Sequence, residues 1–194
     1  MTSQNSVNLS SGGLEQAKKA ASGKDLPPVH LWNPPFCGDL DMQIKRDGTW
    51  IHEGGQINRP EMVKLFSSIL KKEGDAYFLV TPVEKVGLTV EDAPFVAVDL
   101  DVFGAGDTQA LVFTTLVDDV VTADANHPIR FTSDPDTQEP SVYVMVRAGL
   151  EARLDRKSFY RLIDCGTEQD VDGTAMFGVM SAGAFFAMIP ADAL

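Results

Sequence analysis

The chain has 194 residues, a formal net charge of -12 and 44% hydrophobic residues, which allow one large domain or two small ones around an apolar core. This acidic balance argues against binding to nucleic acids or anionic membranes, because both require clusters of Lys and Arg. No apolar run approaches the roughly 18 residues of a membrane span, and the N-terminus lacks the pattern of a signal peptide. The two cysteines, Cys37 and Cys165, have no metal-type spacing, so we expect free thiols in the cytoplasm.

The first 26 residues are small and polar, and we expect them to form a flexible N-terminal arm. A short helix is predicted around residues 14–21, with only Leu14, Ala17 and Ala21 on its apolar face. Such a helix is marginal alone. We therefore expect it to dock only loosely.

Residues 30–42, HLWNPPFCGDLDM, predict a stiff strap across the core. Its two prolines favour an extended path, and Trp32 and Phe36 bring large apolar side chains. A zinc site is disfavoured because there is no second pair of ligands at a suitable spacing. We expect Cys37 to be a packed structural thiol rather than a nucleophile.

Residues 58–74 carry the clearest helix pattern. Asn58 is a preferred N-cap, apolar residues follow at helical spacing, and Gly74 suits the left-handed C-terminal position. Residues 155–166 predict a second helix that is capped by Asp155. The rest of the chain contains many short strand patterns between turn residues, which predicts an α+β fold of mostly antiparallel strands.

The two predicted helices lie in segments that match in register. INRPEMVKLF (57–66) and LDRKSFYRLI (154–163) place a cap, an arginine and an apolar stripe at the same positions. This match predicts two related halves with one helix each, although any two capped amphipathic helices share part of the pattern. We expect an N-terminal strand–helix–strand domain over residues 27–84 and a C-terminal domain over residues 85–194.

Several strings resemble a bacterial family known only as a domain of unknown function and found largely in proteobacteria. They are LWNPPFCGDLDM, DGTW, INRPEMVKLFSSIL, YFLVTPVEKVGLTVEDAPF, HPIRF and SAGAFF, and the resemblance extends from residue 27 to the end. It implies a duplicated core and a barrel-like C-terminal half similar to pleckstrin-homology domains. It also implies a pocket for a small, nucleotide-like ligand between the halves and a role in signalling. The family has no established reaction, so the resemblance identifies no catalytic residues.

Three short stretches resemble known functional motifs but lack a required residue or spacing. DLDVFGAGDTQ (99–109) is incomplete as a calcium loop, because Phe103 and Ala110 stand where oxygen ligands are required. The same stretch lacks the third glycine of a dinucleotide-binding loop. Ser181 in GVMSAGA is one residue out of register with a hydrolase nucleophile elbow. The sequence therefore predicts no catalytic residue, no cofactor and no metal.

Charge is distributed unevenly along the chain. Residues 89–139 contain eleven Asp and Glu and one Arg, whereas residues 27–88 contain eight acidic and seven basic residues. The N-terminal half is therefore the better place for an anionic ligand. Arg59 lies at a predicted helix N-terminus, where free N–H groups favour anions, and Arg156 repeats that position.

We expect the ligand at the junction of the two halves. Two segments that prolines keep out of strand pairing, residues 32–41 and 81–87, would form the pocket wall. The residues expected to bind the ligand are Trp32, Asn33, Cys37, Asp39, Asp41, Arg59, Thr81, Glu84 and Lys85. They offer a stacking surface, hydrogen bonds and charge that suit a planar, anionic, nucleotide-like molecule. The alternative is that these cations and carboxylates neutralise one another in a structural core.

The sequence thus predicts a small-ligand-binding regulatory or sensor protein in signal transduction. One alternative is an enzyme on a small substrate, with Cys37, Asp39, Asp41 or Glu84 as its reactive group. Another is an interaction scaffold that binds a protein partner through the C-terminal half. An enzyme requires a group with a perturbed pKa in a concave pocket, whereas a scaffold requires an exposed apolar patch.

Overall fold

The computed structural model describes residues 9–23 and 25–193, which form two compact units that divide between Asp92 and Ala93. The first unit is a six-stranded mixed sheet with two helices. Its helices are α1 (Ser11–Ala21) and α2 (Pro60–Ser68). Its strands are β1 (Phe36–Ile44), β2 (Trp50–His52), β3 (Gly55–Gln56), β4 (Leu70–Glu73), β5 (Ala76–Val80) and β6 (Lys85–Val90).

The strands of the first sheet lie in the order β3-β2-β1-β6-β5-β4. The β1–β6 pair is parallel, and the other neighbouring pairs are antiparallel. The predicted strap from Phe36 onwards is therefore wrong, because these residues form strand β1. Its pairing with β6 continues back to Pro35, whose carbonyl oxygen accepts a hydrogen bond from Lys85 N at 3.1 Å.

The two faces of this sheet differ because side chains alternate along β1. Leu40 and Met42 are buried, whereas Asp39 and Asp41 are exposed. Helix α2 covers the buried face, where the rings of Phe66 and Trp50 stack with their centroids 6.1 Å apart. The opposite face of β1, β6 and β5 carries polar and aromatic side chains.

Helix α2 ends at Ser68, six residues before the predicted stop at Gly74. The residues after the helix form β4 instead, since Leu70 pairs with Leu79 of β5 and both side chains are buried. Gly74 adopts a φ of 59° in the turn between β4 and β5. A glycine in the left-handed region therefore marks a hairpin here and not a helix end.

The second unit contains a six-stranded mixed sheet that curls into a half-barrel, one helix and a three-stranded sheet. Its strands are β7 (Phe95–Phe103), β8 (Ala110–Thr115), β9 (Val120–Thr122), β10 (Ile129–Ser133), β11 (Pro140–Arg147), β12 (Leu150–Leu154), β13 (Gly166–Val171), β14 (Thr174–Ser181) and β15 (Ala184–Pro190). Helix α3 (Arg156–Asp164) follows β12, and Asp155 caps it as predicted by accepting from Ser158 N at 2.7 Å. The larger sheet has the order β10-β11-β12-β7-β8-β9, with β12 parallel to β7.

Both units contain a hairpin, a helix and a three-stranded antiparallel meander in the same chain order. In the first unit these are β1–β2, α2 and β4–β6, with the short strand β3 before the helix; in the second they are β11–β12, α3 and β13–β15. Leu65 of α2 and Leu162 of α3, which occupy the same position in the sequence match, are both buried. The predicted α+β fold of two related, mostly antiparallel halves is confirmed, and so is the barrel-like C-terminal sheet. A specific likeness to pleckstrin-homology domains stays a prediction.

The boundary between the units falls later than the predicted boundary between residues 84 and 85. Strand β6, which follows that point directly, pairs with β1 on one side and β5 on the other. Val86 of β6 is fully buried in the first unit. The strand therefore belongs to the first sheet, and the chain enters the second unit only after Asp92.

The buried hydroxyl of Ser181 joins the three-stranded sheet to the half-barrel. Its Oγ donates to the carbonyl oxygen of Ala123 at 2.6 Å and accepts from Leu111 N at 2.9 Å. Gln109 Nε2 adds a hydrogen bond to the carbonyl oxygen of Met180 at 2.8 Å. Ser181 thus binds two backbone groups of the half-barrel, which gives this serine a structural function.

We predict that Ser181→Ala destabilises the second unit. The substitution leaves Leu111 N and the carbonyl oxygen of Ala123 without this partner, and each unsatisfied buried group costs about 1–3 kcal/mol. Urea denaturation measures the free energy of unfolding. The control, Ser133→Ala on an exposed serine of β10, should change it by less than about 0.5 kcal/mol. Equal stability of the two variants would contradict the assignment.

Candidate functional site

Three cavities of about 530, 530 and 550 Å³ open on the first unit. Volumes in this range suit a small ligand. Two of the cavities flank helix α2 and share Arg59 and Met62, and we call them together the Arg59 groove. The other lies on the opposite face of the sheet over strand β6, and we call it the Gly87 notch.

The Arg59 groove has an apolar floor and a polar rim. On the sheet side, its apolar lining consists of Leu9, Leu14, Leu40, Met42, Ile57, Met62 and Phe66, and its polar lining consists of His52, Gln56, Asn58 and Arg59. The alternation of β1 supplies the floor, because it directs Leu40 and Met42 toward α2. On the helix side, α1 contributes Lys18 and Ala21 to the wall. Helix α1 therefore borders both halves of the groove.

Among the described residues, the guanidinium of Arg59 has no partner, and the same is true of Lys18 and Glu61, which line the groove beside it. No carboxylate within residues 9–23 and 25–193 forms an ion pair or hydrogen bond with the exposed guanidinium of Arg59. Arg59, not the predicted Asn58, is the N-cap residue of α2, and its side chain makes no capping hydrogen bond. Pro60 can follow at no cost, since the first helical residue needs no N–H donor. The arrangement offers a planar, two-pronged donor to a carboxylate or phosphate.

Glu84 fastens helix α1 to the sheet. Its carboxylate is buried, with 7% exposure, and accepts hydrogen bonds from Ser10 N at 3.1 Å and Ser10 Oγ at 2.9 Å. A side chain on Gly13 in the first turn would collide with this carboxylate. A negative charge at a helix N-terminus is stabilising, because it faces the free N–H groups and the positive end of the helix dipole.

Thr81 holds the turn that presents Glu84. Its backbone N donates to the carbonyl oxygen of Glu84 at 2.9 Å, and its Oγ1 accepts from Glu84 N at 3.1 Å. Both residues were predicted to bind ligand, but neither lines any of the three cavities. Their observed contacts position α1 and therefore shape the groove indirectly.

Four other predicted ligand residues also lie outside the three cavities. Trp32 is half-buried, whereas Asn33 and Asp41 are exposed. Cys37 is exposed, and its thiol donates to the carbonyl oxygen of Pro35 at 3.4 Å. The prediction of a packed thiol is wrong, because the start of β1 lies at the uncovered end of the sheet face.

The Gly87 notch brings together Asp39 and Lys85, two of the predicted residues. Gly87 lies between Asp39 of β1 and Phe78 of β5 in the strand ladder. The Asp39 carboxylate lies against the bare backbone of Gly87, where any side chain would collide with it. Phe36 and Phe78 meet above β6 edge to face, with their ring centroids 6.0 Å apart.

Lys85 is engaged within the protein and is not a free cation. Its Nζ lies 2.9 Å from Glu73 Oε2, and Lys71 Nζ lies 3.0 Å from the other oxygen of Glu73. Hydrogen bonds from Lys85 and then Lys71 lower the pKa of the Glu73 side chain. The alternative to the ligand site, in which Asp41 and Glu84 neutralise Lys85 and Arg59, is therefore wrong. Lys85 pairs with Glu73, and Glu84 binds Ser10.

Sequence reasoning missed the apolar residues Met42 and Met62 and the neighbouring His52 as parts of a ligand cavity. Met42 and Met62 carried a signal only as core residues of a strand and a helix, and His52 had no motif partner. Among the described residues, no three His, Cys, Asp or Glu side chains are arranged to hold a metal ion. The helices of that part of the chain are also too short or too polar to span a membrane.

Two adjoining family models match the chain. Residues 27–93 match the N-terminal domain of a family described as a domain of unknown function, DUF1285, and residues 94–188 match its C-terminal domain. No curated protein matches the chain.

Two crystal structures of DUF1285 family proteins are similar to this chain. One, from Silicibacter pomeroyi DSS-3, has 56% sequence identity and a TM-score of 0.83 over 93% of this chain and 97% of that chain. The other, from Shewanella baltica OS155, has 30% identity and a TM-score of 0.51 over 64% of this chain and 91% of that chain.

We predict that Glu84→Gln loosens helix α1. Hydrogen bonds to charged groups contribute about 1.5–3 kcal/mol, so amides in residues 11–21 should exchange with solvent at least about tenfold faster. Hydrogen–deuterium exchange followed by mass spectrometry gives the rates. The control is Glu53→Gln on an exposed turn residue of the same unit. Unchanged exchange in Glu84→Gln, or the same acceleration in the control, would show that Glu84 does not fasten the helix.

Proposed function

The chain belongs to the DUF1285 family, and we propose that it is a small-ligand-binding regulatory protein whose binding site is the Arg59 groove. The observation that carries the proposal is the position of Arg59. Its guanidinium has no partner among the described residues and stands where two cavities meet over an apolar floor. A charged group of this kind, beside apolar surface, selects a ligand with an anionic group and an apolar body.

Different residues of the groove lining would bind the two parts of the ligand. Arg59 would hold the anionic group, and Asn58 and His52 on the same rim offer further hydrogen bonds. Met42 and Met62 would contact the apolar body, since methionine side chains adapt to ligands of irregular shape. A nucleotide-like monophosphate has both parts and ranks first, and an aliphatic carboxylate has the same chemistry.

The proposed binding site lies in the first unit, and not at the junction of the two halves where the sequence predicted it. Of the two predicted cations, Lys85 is engaged by Glu73, whereas Arg59 is not engaged. A ligand at Arg59 would contact α1, which lies along both cavities and is fastened at its N-terminus by Glu84. Binding would thereby change how firmly α1 is held, and this is the basis for a sensor function. Two free thiols, Cys37 and Cys165, support a reducing compartment such as the cytoplasm.

The experiment is a calorimetric titration of the protein with adenosine monophosphate, phenyl phosphate and octanoate. Arg59→Met should weaken binding of a responsive probe about tenfold or more, because it removes a charge-assisted hydrogen bond. Arg156→Met is the matched control: this exposed arginine of α3 occupies the same position in the sequence match, and its guanidinium contacts the ring of Tyr160. Adenosine and inorganic phosphate test whether both parts of the ligand are needed.

Three results would contradict this function. If none of the three probes bound, the proposed class of ligand would be wrong. If the parent protein and Arg59→Met bound the probe with equal affinity, Arg59 would not be part of the binding site. If Arg156→Met weakened binding by the same factor, the effect would come from the overall charge of the protein.

An interaction scaffold is the second candidate, and the outer face of β7, β8 and β9 favours it. Ladder pairing places Phe103, Val112 and Val120 on one side of the sheet, and Phe103 and Val120 are 57% and 67% exposed. Asp101 lies on the same face, in a segment with eleven acidic residues and one arginine. Apolar and acidic side chains together suit a basic amphipathic segment of a partner protein.

We predict that a basic amphipathic peptide binds this face and that Val120→Lys weakens its binding about tenfold or more, through like charge and loss of apolar contact. Fluorescence anisotropy of a labelled peptide measures the affinity. Val171→Lys, on an exposed valine of the three-stranded sheet, is the control. If both variants weaken binding equally, or the peptide does not bind, the scaffold candidate fails.

A further inference from the structure

We propose that the Gly87 notch is a second binding site, which takes an organic cation: a primary amine or guanidinium on a small apolar body. The notch lies on the face of the sheet opposite the Arg59 groove and shares no lining residue with it. Binding of a cation in the notch therefore does not depend on whether the Arg59 groove binds an anion.

The shape of the notch comes from a missing side chain in the middle of the sheet. Gly87 is flanked in the ladder by Asp39 on β1 and Phe78 on β5. Because Gly87 has no side chain, Phe36 and Phe78 reach over β6 and meet edge to face. The result is a cavity of about 530 Å³ with a backbone floor, an aromatic wall and a carboxylate at its base.

The free charge of the notch is negative. Asp39 has no hydrogen bond or ion pair with any residue that the structure describes, and the same is true of Asp75 at the rim. The cation of the notch, Lys85, is held by Glu73 at 2.9 Å. A carboxylate without a partner beside a neutralised lysine attracts a cation rather than an anion.

The aromatic wall adds a preference for organic cations. Lys85 Nζ lies 4.9 Å from the centroid of Phe78, so the ring of Phe78 already contacts one cation. Phe36 is 54% exposed, and the edge of its ring lies beside the position that Asp39 occupies over Gly87. A cation at Asp39 would therefore also contact the ring of Phe36, and such contacts are favourable within about 6 Å of the ring centroid.

The same chemistry can come from a free amine or from the side chain of Lys or Arg in a peptide. Agmatine represents the first source, and N-acetyl-arginine amide represents the second. Tetramethylammonium, which cannot donate a hydrogen bond, separates ring contact from recognition of the N–H groups by Asp39. All three probes carry one or two positive charges and fit a cavity of this size.

The test is a titration of the full chain with each probe, followed by the backbone amide NMR signals of Gly87 and Thr89, which line the notch. We expect saturable shifts with agmatine or N-acetyl-arginine amide. Asp39→Asn should weaken that binding about tenfold or more, through loss of a charge-assisted hydrogen bond. Asp41→Asn is the matched control, because Asp41 is an exposed carboxylate on the same strand outside the cavity. Gly87→Ala, which displaces the Asp39 carboxylate, should weaken binding as well.

Several outcomes would overturn the proposal. These are shifts that do not saturate, equal weakening by Asp39→Asn and Asp41→Asn, or unchanged affinity in Asp39→Asn with a parent-like melting temperature. Arg59→Met should leave amine binding unchanged, so failure of the anion site and failure of this site are distinguishable. If Arg59→Met abolished amine binding, the two sites would not be independent and the proposal would fail.

Discussion

The first unit depends on the parallel pairing of β1 with β6. These strands are far apart in sequence, and their pairing joins the β1–β2 hairpin to the β4–β5–β6 meander in one sheet. Parallel neighbours require a long crossover, and here that crossover contains helix α2. The same pairing brings the turn before β6 into place, so that Glu84 reaches the N-terminus of α1. One strand pair thereby determines the sheet, the helix packed on it and the attachment of the N-terminal helix.

The pairing also gives the unit two chemically different faces. Alternation along β1 sends Leu40 and Met42 toward α2, where they form the floor of an apolar groove beside Arg59. Asp39 and Asp41, which alternate with them, face the other way, and there Asp39 meets the bare backbone of Gly87. Within the described part of the chain, the unpaired guanidinium of Arg59 lies on one face, and the unpaired carboxylate of Asp39 lies on the other. The proposed anion site and the proposed cation site therefore lie on opposite faces of one sheet.

Local sequence patterns predicted the helices and strands better than they predicted which strands and which charged side chains pair with one another. The cap at Asp155, the existence of both sheet-packed helices and the relation between the halves followed from short-range rules. The end of α2 at Ser68 did not, because the pairing of β4 with β5 overrides an apolar stripe that continues past the helix. The ion pairs were predicted wrongly for a related reason: the partner of Lys85 is set by strand order, which puts Glu73 of β4 within reach. Of the nine predicted ligand residues, Arg59, Asp39 and Lys85 line cavities, on two different faces.

If the Arg59 groove binds an anionic ligand with an apolar body, as we propose, the methionines that line it should respond to that ligand. Met42 and Met62 line the groove, and the other described methionines lie in the second unit. A titration of protein labelled with ¹³C at its methionine methyl groups, with phenyl phosphate as the probe, should shift the signals of Met42 and Met62 saturably. The signals from the second unit should stay in place. Saturable shifts confined to the second unit, or none at all for phenyl phosphate, adenosine monophosphate and octanoate, would contradict the account.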